Sequence, residues 1–113
     1  MQKDLEKYSK ICVFDCRPWK NAQANKLAGK GCLSARNYSL DALIFGDIDN
    51  IHVMRSSHNS ILEGFLKGES REGMSRWYMH VKKILDGAKK CANWLLRGIH
   101  VVVNCSDGWD RTP

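Results

Sequence analysis

The stretch Ile99-His100-Val101-Val102-Val103, running into Asn104-Cys105-Ser106-Asp107-Gly108-Trp109-Asp110-Arg111-Thr112-Pro113, decides the fold. Its first half is a β-branched run bounded by Gly98 and a polar loop. That pattern predicts a short strand buried on both faces, as in a parallel sheet. Upstream, Trp77, Val81, Ile84, Leu85, Ala88, Cys91, Ala92, Leu95 and Leu96 recur at helical spacing and predict one face of a long amphipathic helix. Lys82, Lys83, Lys89, Lys90 and Arg97 take the other face, and Gly98 supplies the stop.

Further back, Ile11-Cys12-Val13-Phe14 reads as a buried strand closed by Asp15-Cys16-Arg17-Pro18, because proline cannot continue it. Asn21 to Ala28 fits a short helical turn ended by Gly29-Lys30-Gly31, and Leu43-Ile44-Phe45 is a second strand. Ile51 to Phe65 carries apolar residues at mostly helical spacing, with Ser56 and Ser57 as caps. Gly64 and the segment 68–73 make a polar break, and residues 1–10 are a charged lead-in. Strands separated by helices predict an α/β fold with a central sheet flanked by helices. At 113 residues with no internal repeat, one domain is the limit.

The charge of +6 favours an anionic partner, such as a phosphorylated ligand or an acidic membrane face. Nucleic acid rests on charge alone and is set aside. An odd count of 5 cysteines, with no apolar segment near the N-terminus, reads as a reduced cytosolic chain rather than a disulfide framework. Cys12, Cys16, Cys32 and His52 do not make a zinc site, since a fourth ligand at finger spacing is missing. No apolar run approaches the roughly 20 residues needed to span a bilayer.

Chemistry concentrates in the last loop. Cys105 and Arg111 bracket five residues, a spacing that lets a thiolate and a guanidinium face one tetrahedral phosphate while the amides between them curl around its oxygens. Gly108 supplies a position without Cβ, where φ is free to be positive. A helix beginning just after Arg111, with Pro113 at its first position, would lower the Cys105 pKa further. In that arrangement Cys105 attacks phosphorus and Arg111 grips two equatorial oxygens. Asp107 or Asp110, its pKa raised beside a dianion, protonates the leaving oxygen. The plainer reading, a polar turn holding a buried free cysteine, accounts less well for a strand leading into Ser-Asp-Gly-Trp-Asp. Trp109 is either a lid over a bound ring or a packing anchor.

The run Cys105-Ser106-Asp107-Gly108-Trp109-Asp110-Arg111-Thr112 resembles the active-site signature of the myotubularin-type phosphoinositide 3-phosphatases. Further landmarks follow in the family's order. They are Arg17-Pro18, Asn21-Ala22, Ala24-Asn25-Lys26, Gly29-Lys30-Gly31, Asn50-Ile51-His52-Val53-Met54-Arg55, and Trp77 with His80-Val81-Lys82. The resemblance runs from about Ile11 to the end and implies a partial cysteine-dependent phosphatase domain over 11–113, truncated just after the phosphate loop. It implies removal of the 3-phosphate of phosphatidylinositol 3-phosphate and phosphatidylinositol 3,5-bisphosphate, with no metal or other cofactor. It carries the nucleophile to Cys105, phosphate binding to Ser106, Asp107, Gly108, Trp109, Asp110 and Arg111, and the general acid to Asp110. Asn25, Asn50 and Ile51 match headgroup-contacting positions.

The same resemblance implies a cytoplasmic protein peripheral on endosomal or other phosphoinositide-bearing membranes, with an anionic membrane surface and family members, as homo- or heterodimers, for partners. Asn104 departs from the family's usual histidine, and Cys32-Leu33 from an aromatic and acidic pair. The competing expectation is a catalytically inactive phosphatase-like scaffold; retention of both Cys105 and Arg111 favours the enzyme. The isolated 113 residues are expected to turn over weakly or not at all, because groups that preorganise the loop are missing.

Overall fold

The computed structural model describes residues 10–34, 40–68 and 71–113, and only the backbone of 71–73. All of the lead-in but Lys10, and positions 69 and 70 of the polar break, lie outside the described residues. The elements are β1 (Ile11–Asp15), α1 (Trp19–Leu27), β2 (Ala42–Phe45), α2 (Ile51–Lys67), α3 (Arg71–Leu96) and β3 (His100–Asn104). The strands form one parallel sheet in the order β2-β1-β3, with Val13 opposite Leu43 on one side and Val102 on the other. The expected α/β class, a small parallel sheet flanked by helices, is what forms.

β1 is central, and Cys12 through Asp15 are all buried. Side chains alternate along a strand. Cys12, Phe14 and, just beyond the strand, Cys16 therefore share one face, packing with Ile48, Trp94 of α3 and Cys105 as the core. Val13 and Asp15 point to the other face.

The Phe14 ring sets how closely its neighbours approach. A Cβ on Gly87 would lie 2.6 Å from Phe14 Cζ, and one on Gly46 would lie 2.7 Å from the same atom. The ring is thus held between two backbones that only glycine permits, and α3 docks on the sheet through its smallest residue.

That docking rotates α3 away from the expected apolar face. The buried positions are His80, Gly87 and Trp94, with Trp77, Val81 and Cys91 half-buried beside them, whereas Leu85, Leu95 and Leu96 are exposed. Lys83, read as part of the polar face, is half-buried, and its Nζ sits 2.6 Å from Asp47 Oδ2 on the loop after β2. β3 also departs from expectation. Val102 and Val103, on opposite faces, are both partly exposed, because β3 lies at the edge of the sheet.

At the start of α2 the cap is Asn50, whose Oδ1 accepts from the N–H groups of His52 and Val53. Ser56 and Ser57 lie inside the helix, and the Ser57 hydroxyl donates to the Met54 carbonyl instead. Gly68, at φ 74°, closes α2 in the left-handed conformation. The two long helices then pack side by side, with His58 and Trp77 meeting edge to face at 5.2 Å.

Gly87→Ala tests the Phe14 clamp. Helix propensity alone favours alanine by about 1 kcal/mol, but overpacking a closed site costs about 1–3 kcal/mol. The variant is therefore expected to unfold at a lower temperature than the parent. A midpoint equal to or above the parent's in a thermal melt would show that the ring has room to retreat.

Candidate active site

β3 delivers Cys105 to its place. Its pairing with β1 ends at Asp15 opposite Asn104, and the Cys16 N–H donates to the Asn104 carbonyl at 2.8 Å, so the ladder extends one step past the strands. Cys105 follows directly and is 7% exposed. The chain then curls back, and the Gly108 N–H donates to Cys105 Sγ at 3.1 Å, with Gly108 at φ 79°. An L side chain at 108 would strain that curl.

The curl acts on the thiol. Burial by itself pushes the Cys105 pKa up, but the neighbouring Thr112 hydroxyl and the N–H groups of Gly108, Asp107 and Arg111 outweigh it and bring the pKa down from 9.0 to about 7. The Thr112 hydroxyl is buried and has no partner at strict hydrogen-bond geometry, so its closeness to sulfur is its main polar contact. Residues 111–113 are not helical. The depression seen here comes from the loop's own donors, the Thr112 hydroxyl and the N–H groups of Gly108, Asp107 and Arg111.

Arg111 Nε is likewise buried without a partner. An unmatched guanidinium N–H at the end of the thiolate-bearing curl is a donor available to an anion. Asp110 is exposed, and its Oδ1 accepts from the Arg111 N–H at 3.1 Å. Trp109 is 84% exposed and packs into no core of the described residues. Asp107 is exposed as well, and Ser106 is half-buried.

Of the three residues outside the loop, Asn25 reaches it directly, its Nδ2 donating to Ser106 Oγ at 2.9 Å. Ile51 joins Asp110 and Arg111 around an open cavity of about 360 Å³, whose wall also includes Ile48, Asp49 and Met54. Asn50 does not line that cavity. Its side-chain oxygen is committed to capping α2, which leaves its Nδ2 as the group it has to offer.

One structural element of the site escaped the sequence reading. Asp15 and Arg17, taken there as turn residues, form a fully buried ion pair: Arg17 Nη2 lies 2.6 Å from Asp15 Oδ2, and Arg17 Nε lies 2.9 Å from Oδ1. The Arg17 N–H also donates to Asp15 Oδ1, and the guanidinium reaches the Gly31 carbonyl beyond α1. Opposite charges two residues apart at the end of an apolar strand were the available signal. His80 is a second case: it is buried on α3, with Nδ1 3.7 Å from Asp49 Oδ2. Among the described residues, no group of three or more His, Cys, Asp or Glu side chains is placed to hold a metal ion. No described helix is long and apolar enough to cross a membrane.

A buried thiol at the C-terminal end of a parallel strand, brought to a pKa of about 7 by N–H donors and a hydroxyl, has the ionisation that a cysteine nucleophile requires. Comparison with known proteins makes this specific. The sequence model of the myotubularin-like phosphatase domain matches residues 1–113. The chain is 42% identical over 109 residues to phosphatidylinositol-3,5-bisphosphate 3-phosphatase MTMR6 of Caenorhabditis elegans, covering 90% of this chain and 16% of that protein. It is 43% identical over 108 residues to the human protein of the same name, covering 88% and 17%. To phosphatidylinositol-3-phosphate phosphatase MTMR7 of Mus musculus it is 42% identical over 113 residues, covering 90% and 17%. The chain belongs to the myotubularin-like phosphatase family, and it spans about a sixth of the length of these relatives.

The Cys105 pKa predicts a reactivity profile. With a folded value of about 7 against 9.0, alkylation of Cys105 by iodoacetamide should rise through pH 7 and level off by about pH 8, before an ordinary thiol is half ionised. Thr112→Ala removes one favourable contact and should move the midpoint upward, towards 9.0. A midpoint near 9 in the parent, read by mass spectrometry of the modified peptide, would show that the N–H groups do not face the sulfur.

Proposed function

We propose that this chain carries the catalytic loop of a phosphoinositide 3-phosphatase. The enzyme hydrolyses the 3-phosphate of phosphatidylinositol 3-phosphate and phosphatidylinositol 3,5-bisphosphate, the substrates that the relatives' names specify. The observation that carries the reading is the Cys105 thiol, held near pH 7 by loop N–H groups beside the unmatched Nε of Arg111.

The Cys105 thiolate attacks phosphorus in line with the bond to the inositol 3-oxygen. The sulfur–phosphorus bond forms as that phosphorus–oxygen bond breaks. Asp110 gives its proton to the departing oxygen. Arg111 and the N–H groups from Ser106 to Arg111 hold the equatorial oxygens, where charge accumulates in the transition state. Water then attacks the phosphocysteine, returning its proton to Asp110 and releasing phosphate and the free thiolate. Asn25 holds Ser106 in register, while Ile51 and the Asn50 amide border the place where the inositol ring lies. Trp109, largely in solvent beside Asp110, is the side chain free to cover that ring. Substrate in a bilayer and a net charge of +6 make an anionic membrane surface the natural partner.

The test is phosphate release by the full-length protein from short-chain phosphatidylinositol 3-phosphate. Cys105→Ser should fall to background. Asp110→Asn should lose on the order of 10²-fold or more in kcat and flatten the dependence on pH that a proton donor imposes. Background release by the parent as well would leave the scaffold reading in place. An unchanged profile in Asp110→Asn would pass the acid role to Asp107 or water.

A further inference from the structure

Cys105 has a thiol neighbour across the sheet. The β1–β3 register pairs Asp15 with Asn104, and the hydrogen bond from Cys16 N–H to the Asn104 carbonyl carries the ladder one residue further, setting Cys16 opposite Cys105. Neighbouring strands lie about 4.7–4.9 Å apart, inside the about 4.4–6.8 Å between Cα atoms that a disulfide spans. Residues paired across a ladder face the same side. Both cysteines accordingly lie in one buried cluster, 2% and 7% exposed, with Ile48 and Trp94 around them. Cys12 shares the face but sits four residues back along β1, about 13 Å at about 3.3 Å per residue, which is out of reach.

We propose that Cys16 is the resolving thiol of Cys105: a hydroperoxide oxidises Cys105, and the two close a reversible Cys16–Cys105 disulfide that switches the site off. The proposal rests on the reading of Cys105 as a reactive nucleophile. The Cys105 thiolate attacks the peroxide, so that a sulfur–oxygen bond forms, the oxygen–oxygen bond breaks, and the departing oxygen takes a proton from water. Cys16 then gives up its proton and attacks the sulfenic sulfur. The sulfur–sulfur bond forms and the sulfur–oxygen bond breaks, releasing water that carries that proton. Two electrons pass from the thiol pair to the peroxide.

The resting electrostatics suit this order of events. Burial first, then the charge of the Cys105 sulfur and Asp15, push the Cys16 thiol up to about 11, so it stays protonated while Cys105 is the thiolate. Conversion of Cys105 to a neutral sulfenic acid removes one of those repulsions, and Cys16 becomes easier to ionise at the moment its partner becomes electrophilic. Closing the bridge takes the nucleophile away and withholds Cys105 from irreversible sulfinic and sulfonic acids. A dithiol restores it.

The experiment exposes the reduced full-length protein to stoichiometric hydrogen peroxide, blocks free thiols with iodoacetamide and digests it with trypsin without reduction. The expected product joins peptide Ile11–Lys20, left whole because Arg17 precedes proline, to Gly98–Arg111. Its fragments place the bridge on Cys16 rather than Cys12. Dithiothreitol should part the peptides and restore alkylation of Cys105. Cys12→Ala, altered in the same cluster, should still form the bridge, whereas Cys16→Ala should accumulate sulfinic and sulfonic Cys105 that dithiothreitol does not rescue. Parent Cys105 found overoxidised, unoxidised, or bridged to Cys91 or Cys12 overturns the proposal, whatever the variants do. Because the bridge is read by mass, its formation in a protein that releases no phosphate supports the resolving thiol while defeating the phosphatase reading. Its absence in an active protein does the reverse.

Discussion

Two opposite charges, Asp15 and Arg17, are enclosed where β1 leaves the sheet, each about 1% exposed, and the site is assembled around them. Burying either alone would cost about 3–5 kcal/mol, so the turn is stable only in the conformation that lets carboxylate and guanidinium meet at two points. That conformation aims Arg17 at the Gly31 carbonyl and pins the far end of the α1 connection. α1 in turn holds Asn25 against Ser106. On the opposite face of the same short segment, Cys16 lies beside Cys105. One ion pair therefore sets the approach of both the supporting helix and the neighbouring thiol to the loop.

The contrast between those two cysteines shows what the loop contributes. Both are buried, and burial raises a thiol's pKa. Cys16 has no such set of donors and rises to about 11, whereas Cys105, ringed by N–H groups and a hydroxyl, falls to about 7. A separation of this size within one hydrophobic cluster comes from the direction of a few N–H bonds. It depends on Gly108 holding a positive φ and on β3 stopping at Asn104. The donor left over, Arg111 Nε, is buried without a partner in the same loop.

Much of this was legible in the order of residues. Strand periodicity located β1, β2 and β3, Gly98 marked the end of α3, and the spacing of Cys105 and Arg111 within a strand-loop context marked the site. What escaped were relations between elements. The face that α3 presents was misplaced because apolar count favoured Leu85, Leu95 and Leu96, while docking was settled by contact between Gly87 and Phe14, where absence of a side chain matters more than hydrophobicity. Asn50 entered as a headgroup-contacting position, with Ser56 and Ser57 read as the caps, yet it is the Asn50 side-chain oxygen that caps α2. Asp15 and Arg17 looked like turn residues because Pro18 follows them, although opposite charges two apart at the end of an apolar strand were the signal of a buried pair.

The sequence alone thus determined the class of fold, the family signature and the place of the candidate loop, because these rest on local pattern: hydrophobic period, glycine placement and the spacing of a thiol from a guanidinium. Tertiary structure decided the ionisation of Cys105, the partnership of Asn25 with Ser106 and the meeting of Cys16 with Cys105. Each depends on distances and on the exclusion of water between segments far apart in the chain, and electrostatic strength is set by that exclusion rather than by residue type.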